Sequence, residues 1–151
     1  MPYILHPLRV GASLAAFGEE AVMAGILHDV VEDTPITLRG LKQQGFSDRV
    51  LSAVEAVTKT ESESGLMAYE RSVRKAMADP LGLYVKAADV LDNAGRIAGI
   101  DDPRTRARLM LKYGMAADLF AEVIPRFPTG ALLWRLAPKY RPLTPPKGWV
   151  P

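Results

Sequence analysis

The chain has 151 residues, 48% hydrophobic and 24% charged, with a formal net charge of +2, which fits one soluble globular domain with a proper core. It has no cysteine, so disulfides, thiolate chemistry and finger-type zinc sites are excluded, and a reducing cytoplasm suits it. No apolar run is long enough to span a bilayer, and the partly apolar Leu5–Phe17 segment carries His6 and Arg9 with no basic stretch in front, so a signal peptide is not expected.

In chain order, Met1-Pro-Tyr-Ile-Leu-His6 leads into a first helix, with Pro7 suited to its first turn. Leu8, Val10, Leu14, Ala15 and Phe17 supply its buried face, and His6 stands at its start, outside that stripe. After Gly18, the charges of Glu19 and Glu20 suit the N-terminus of a second helix, expected to run to Thr34-Pro35. Thr37 caps a short helix that Gly45 stops. Ser47 caps the next, which runs to about Lys59 with Val50, Leu51, Val54 and Val57 inward. Glu61–Gly65 reads as a polar loop. Leu66–Ala78 reads as a helix with Arg71, Arg74 and Lys75 on its exposed side. Asp79-Pro80 restarts the chain into a helix from Leu81 to about Ile97, and Asp101-Asp-Pro103 announces a long one to about Ile124.

All 17 acidic residues precede residue 123, whereas the tail carries Arg126, Arg135, Lys139, Arg141 and Lys147. Its prolines predict an extended run, apart from a turn of helix at Ala131–Leu136. A basic tail suits an anionic partner or simple solvation equally, and nothing else in the chain points to nucleic acid. No strand period, hairpin signal or repeat appears. The class is all-α, a bundle of about six or seven helices over residues 1–126, with a basic, Pro-rich tail at 127–151.

The stretch Gly25-Ile-Leu-His-Asp-Val-Val-Glu-Asp-Thr34 stands out. On one continuous helix, His28, Asp29, Glu32 and Asp33 lean toward one edge, while Ala24, Ile26, Leu27, Val30 and Val31 cover the core side. Four ionisable groups beside an apolar face are costly unless something binds them, and a divalent cation would compensate. The alternative is a solvated acidic helix end. Lys86, Asp89, Asn93 and Arg96 share a face of a later helix, where Val85, Ala87, Ala88, Val90 and Leu91 surround Asp89 with apolar groups. The only two histidines, His6 and His28, make a two-His, two-carboxylate set with Asp29 and Asp89. Such a set suits one octahedral cation with room for water.

Together, Tyr-Ile-Leu-His-Pro-Leu-Arg-Val around His6, Leu-His-Asp-Val-Val-Glu-Asp-Thr, Gly-Phe at 45–46, Ala-Val-Thr-Lys at 56–59 and Val-Lys-Ala-Ala-Asp-Val-Leu-Asp-Asn at 85–93 resemble the HD-domain hydrolases of the RelA/SpoT type. The chain is most similar to their small stand-alone relatives, the small alarmone hydrolases, over about residues 2–122. The resemblance implies an HD-domain helical bundle that binds one divalent ion, manganese, and removes the 3′-pyrophosphate of (p)ppGpp to give GDP or GTP and pyrophosphate. It implies His6, His28, Asp29 and Asp89 as metal ligands and Glu32 and Asp33 as the catalytic pair. It places Asn93 near the ribose, Lys86 in support of the site or a phosphate, and Tyr113 in the nucleoside pocket or, as an ordinary tyrosine, in the core. Arg71, Arg74, Lys75, Arg104, Arg106 and Arg108 offer charge for phosphates, or are plain surface.

The match is incomplete. Family members carry a further helix before the Pro-Tyr-Ile-x-His-Pro segment, and this chain starts at Met1-Pro2-Tyr3. The apolar groove that helix fills is expected to be covered by Ala131–Leu136 or by a second copy of the chain, a homo-oligomer. Val90 replaces a basic residue of many long members, and the spacing from Asn93 to Arg96 is one residue longer than usual. There is no Walker-type loop and no second domain, so alarmone synthesis is not expected. Two alternatives stay open: hydrolysis of another 3′-phosphorylated nucleotide, and a non-catalytic HD module that binds nucleotide or metal.

Overall fold

The computed structural model describes residues 2–60, 64–137 and 143–151. Among the described residues the regular structure is entirely helical: α1 (Leu5–Ser13), α2 (Glu19–Leu27), α3 (Val30–Asp33), α4 (Leu38–Gln43), α5 (Asp48–Val57), α6 (Leu66–Met77), α7 (Gly82–Gly95), α8 (Pro103–Ala121) and α9 (Gly130–Leu136). Short 3-10 turns follow α1 at Ala15–Phe17 and α7 at Ile97–Gly99. None of these helices is long and apolar enough to cross a membrane.

The helix starts follow local chemistry. Thr37 Oγ1 accepts from the Gly40 amide at 3.1 Å and Ser47 Oγ from the Val50 amide at 3.3 Å, which satisfies first-turn N–H groups. Asp102 Oδ2 accepts from the Thr105 amide at 2.9 Å, with Pro103 opening α8. Asp79 Oδ1 accepts from the Gly82 amide at 2.7 Å, while Ser52 Oγ donates to its other oxygen at 2.6 Å. That bond ties the start of α7 to α5.

α7 is the central helix. Tyr84 to Leu91 are buried without interruption, because α1, α2, α5, α6 and α8 all pack against it. A helix apolar nearly all round has no solvent face, so the two charged side chains within that run, Lys86 and Asp89, must be neutralised inside the protein.

α1 and α2 cross closely at two glycines. A Cβ on Gly25 would stand 2.8 Å from Gly11 Cα, and one on Gly11 would stand 2.6 Å from Ile26 Cγ1. This contact sets the depth of His6 against His28. α9 closes on α8 the same way: a Cβ on Gly130 would meet the Gly114 carbonyl oxygen at 2.7 Å. Leu133 of α9 is fully buried, and Phe127 and Leu143 join the same core. Near the C-terminus, Trp149 donates its indole N–H to the Phe17 carbonyl at 3.0 Å and packs edge-on against Phe17 and Tyr84.

Four expectations are corrected. The second helix is not continuous through the Gly25–Thr34 motif: it stops at Leu27, His28 and Asp29 form a turn, and α3 begins at Val30. The His28 ring bonds the Gly25 carbonyl, which in an unbroken helix would accept from the Asp29 amide. Leu8 on α1 and Ala15 in the 3-10 turn after it are exposed, because Val10, Leu14 and Phe17 already fill the core side of this segment. Ile26 is exposed as well, at the outer edge of the α1–α2 crossing. Lys75 is not a free surface cation: its Nζ donates to the carbonyls of Glu55 at 2.9 Å and Thr58 at 2.8 Å, closing the end of α5. The predicted loop at 61–63 and the tail residues Pro138, Lys139, Arg141 and Pro142 lie outside the described residues.

Replacing Gly25 by Ala should force α1 off α2 and lower stability by about 1–3 kcal/mol, the ordinary cost of overpacking. Urea unfolding midpoints of the wild type and the variant give the measurement. An unchanged midpoint would show that the crossing is not tightly constrained.

Candidate functional site

The site forms where the first turn of α1, the His28–Asp29 turn and the middle of α7 meet. His6, His28 and Asp89 each contribute a possible ligand atom, and these atoms lie within 4.8 Å of one another. All three residues are buried. The imidazole rings stand edge to face with centroids 5.1 Å apart. His6 Nε2 is 3.2 Å from Asp89 Oδ1, and His28 Nε2 is 3.7 Å from the same oxygen. Asp29 lies alongside, its Oδ2 3.1 Å from His28 Nε2 and 4.0 Å from His6 Nε2.

Both rings are oriented from behind. His28 Nδ1 donates to the Gly25 carbonyl at 2.7 Å, which leaves Nε2 facing inward. That atom is buried and has no hydrogen-bond partner among the described residues. His6 Nδ1 lies 2.7 Å from Asp92 Oδ2 and donates to it, turning its Nε2 the same way. Asp92 is itself gripped by Arg9, from Nε at 2.6 Å and Nη2 at 2.9 Å. Two inward-facing Nε2 atoms beside a buried carboxylate, one of them without a hydrogen-bond partner among the described residues, form a donor set that a divalent cation satisfies once their protons are displaced.

Asp89 is the electrostatic centre. Lys86 Nζ donates to its Oδ2 at 2.9 Å and Asn93 Nδ2 to its Oδ1 at 2.7 Å. Burial opposes ionisation, but the Lys86 charge and the hydrogen bonds from His6 and Lys86 outweigh it and hold the carboxyl far below the usual range. Lys86 is charged for the reciprocal reason: burial disfavours its ammonium, and Asp89 more than offsets that. Burial also lowers the pKa of both imidazoles. Asp89 and Asp92 around His6, and Asp29 and Asp89 around His28, raise it by more.

Glu32 and Asp33 diverge. Glu32 faces the chamber at the centre of the site, and its Oε1 accepts the Lys59 backbone amide at 2.6 Å. Asp33 turns outward to Tyr3, whose hydroxyl donates to Asp29 Oδ2 at 2.8 Å and also contacts Asp33 Oδ2. Burial and the two carboxylates push the Tyr3 phenol well above its usual pKa, so it stays a donor. The chamber has a volume of about 360 Å³. Lys86, Asn93, Arg96 and Tyr113 all line it. Tyr113 packs edge-on to Tyr69 with centroids 6.2 Å apart, and burial pushes its phenol up to about 12.

Sequence reasoning missed Asp92, Arg9 and Tyr3. A spacing signal existed for two of them. Asp92 follows Asp89 by three positions and Arg9 follows His6 by three, so each shares a helix face with a site residue. Only the fold shows that these two faces meet.

A family model described as HD domain matches residues 1–120. The chain belongs to the HD-domain family. This HD domain is 36% identical over 142 residues to the GTP pyrophosphokinase of Streptomyces coelicolor, covering 89% of this chain and 16% of that protein. It is 38% identical over 99 residues to the guanosine-3′,5′-bis(diphosphate) 3′-pyrophosphohydrolase of Aquifex aeolicus, covering 61% of this chain and 14% of that protein. It is 32% identical over 117 residues to the bifunctional (p)ppGpp synthase/hydrolase SpoT of Escherichia coli, covering 72% of this chain and 16% of that protein. The chain thus spans less than a fifth of the length of these relatives. In structure it is similar to lmo0812 of Listeria monocytogenes EGD-e, known from a 1.85 Å crystal structure, with a TM-score of 0.68 at 25% identity, covering 91% of this chain and 96% of that one.

Asp92→Asn should weaken binding of a divalent cation by about 10–100-fold, the usual cost of losing the carboxylate behind a ligating histidine. Binding must also displace protons from imidazoles whose pKa is raised, so affinity should fall as pH is lowered through those values. Calorimetric titration with manganese at mildly alkaline and at acidic pH reads both effects. Equal affinity at the two pH values would remove the histidines from the ligand set.

Proposed function

We propose that this HD domain is a metal-dependent phosphohydrolase that removes the 3′-pyrophosphate of (p)ppGpp, giving GDP or GTP and pyrophosphate. The observation that carries this reading is the convergence of two buried, pre-oriented imidazole Nε2 atoms on the buried Asp89 carboxylate, in a chamber that Glu32 also faces. Relatives named as (p)ppGpp hydrolases supply the substrate.

In this reading His6, His28, Asp29 and Asp89 hold the cation, taken as manganese. The chemistry supplied at such a site by a divalent ion is Lewis-acid polarisation of a phosphoryl oxygen and activation of water. Glu32, steadied by the Lys59 amide, takes a proton from the attacking water as its oxygen bonds to phosphorus. The bond from phosphorus to the ribose 3′-oxygen breaks, and that oxygen receives a proton from the Glu32–Asp33 pair. The Tyr3 hydroxyl bridges Asp29 and Asp33 and keeps Asp33 within reach of the site. Lys86 and Asn93 hold Asp89 in place and present their remaining hydrogen-bonding capacity to the chamber. Tyr113 supplies an aromatic wall for the nucleoside.

The test is pyrophosphate release from ppGpp by metal-stripped protein, with and without added manganese. Release should depend on manganese and vanish in His28→Ala. Glu32→Gln should lower kcat by roughly 10²–10⁴-fold, the range for loss of a general acid or base, with manganese affinity retained. Folded, manganese-bound wild type that releases no pyrophosphate would rule the reading out.

A further inference from the structure

A second cavity, of about 490 Å³, opens beside the first between the end of α5, α6 and α8. The two share Lys59, Tyr69 and Lys112 in their walls. The second is lined by basic side chains, including Arg108 and Lys112 from successive turns of α8, and by no acidic side chain among the described residues. Leu66 and Leu109 add apolar wall.

The cations differ in how they are used. Lys75 is spent on two backbone carbonyls, and Lys59 has Glu32 at 3.9 Å. Arg108 and Lys112 form no ion pair with any carboxylate among the described residues. Lys112 is half-buried and lies over two aromatic rings, with Nζ 4.3 Å from the Tyr69 centroid and 5.3 Å from that of Tyr113. Burial pushes its ammonium below the usual lysine range, and the like charges of Lys59, Lys86 and Arg108 push it further, against the opposing pull of Asp89. A half-buried cation facing other cations is an unfavourable arrangement, and a bound anion relieves it. The Tyr69 hydroxyl, in the wall between the cavities, is buried and has no hydrogen-bond partner among the described residues.

We propose that this second cavity is an anion subsite, in which Arg108 and Lys112 bind the 5′-phosphates of a nucleotide whose 3′-phosphates face the His6–His28–Asp89 cluster. The assignment rests on the hydrolase reading and names the side chains of this chain that take the 5′-phosphates. The nucleoside then spans the shared wall at Tyr69 and Lys112. Arg108 and Lys112 are positioning groups for the remote end of the substrate and touch no reacting atom.

Two measurements on Arg108→Gln and Lys112→Gln test it, with Arg74→Gln as control. Arg74 lies on α6 outside both cavities and pairs with Glu70. In the first measurement, inorganic tripolyphosphate is titrated into chelator-treated full-length protein by calorimetry. Each cavity variant should bind about tenfold more weakly, as for loss of one charged hydrogen bond, and the control should match wild type. Equal affinity in all four proteins overturns the anion subsite.

In the second, manganese-loaded protein hydrolyses either guanosine 3′,5′-bis(diphosphate) or guanosine 3′-diphosphate. Arg108→Gln should raise KM about tenfold for the first, leave kcat within about twofold, and leave KM for the second unchanged, while Lys112→Gln, in the shared wall, should raise KM more for the first than for the second. An equal rise for both nucleotides overturns the 5′-phosphate assignment. Wild type that hydrolyses neither overturns the hydrolase reading and this assignment with it, while the titration still decides whether the cavity binds anions.

Discussion

A carboxylate buried in the middle of an apolar helix is the constraint on which the rest of the molecule depends. Asp89 lies within α7 where every neighbour from Tyr84 to Leu91 is buried. An ion in that place is tolerable only when its charge and its lone pairs are both answered. Lys86 and Asn93 answer from the same helix, three positions before and four after. His6 and His28 answer from two other elements. Removing Lys86 alone would leave the opposing effect of burial in charge, so the lysine that looks like a substrate ligand also holds the fold at its centre.

The imidazoles need orientation as much as proximity. The close α1–α2 crossing at Gly11 and Gly25 supplies the proximity, since a side chain at either glycine would hold the helices apart. The same Gly25 then orients His28, because its carbonyl takes the Nδ1 proton. His6 is oriented by Asp92, and Asp92 by Arg9 one turn along α1. Each inward-facing nitrogen is therefore backed by a backbone or carboxylate acceptor, an arrangement that fixes the tautomer before any ligand arrives.

Charge is graded across the site. Carboxylates gather around the histidines, while lysine and arginine gather across the Tyr69–Tyr113 wall toward α8. Such a gradient orients a molecule carrying two separated anionic groups, with a cation accounting for one end and protein ammonium and guanidinium groups for the other. The divergence of Glu32 and Asp33 fits this geometry. Glu32 faces into the chamber beside Lys59, and Asp33 braces the rim through Tyr3.

The sequence by itself determined the helical class, most element starts and which residue types are available as candidate donors. Those features are local or compositional. Thr37, Ser47 and Asp102 cap within three residues of themselves, and a chain with two histidines offers only one pair of imidazoles. The α7 residues Lys86, Asp89 and Asn93 were likewise legible, because helical spacing alone puts them on one face. Tertiary structure decided the rest. The break at His28–Asp29 depends on a ring that must reach inward to a shared centre, and local periodicity favours an unbroken helix there. The pairing of His6 with Asp92 joins residues 86 positions apart, which no local pattern encodes. Leu8 has an apolar side chain but is exposed, and Ile26 is spent at the edge of the glycine crossing, because that crossing fixes which sides of α1 and α2 meet. Arg108 reads from the sequence as charge for phosphates or as plain surface, and Lys112 has no legible role, until α6 and α8 place both in the wall of one cavity. Long-range packing, not residue type, separates a solvated cation from one that awaits an anion.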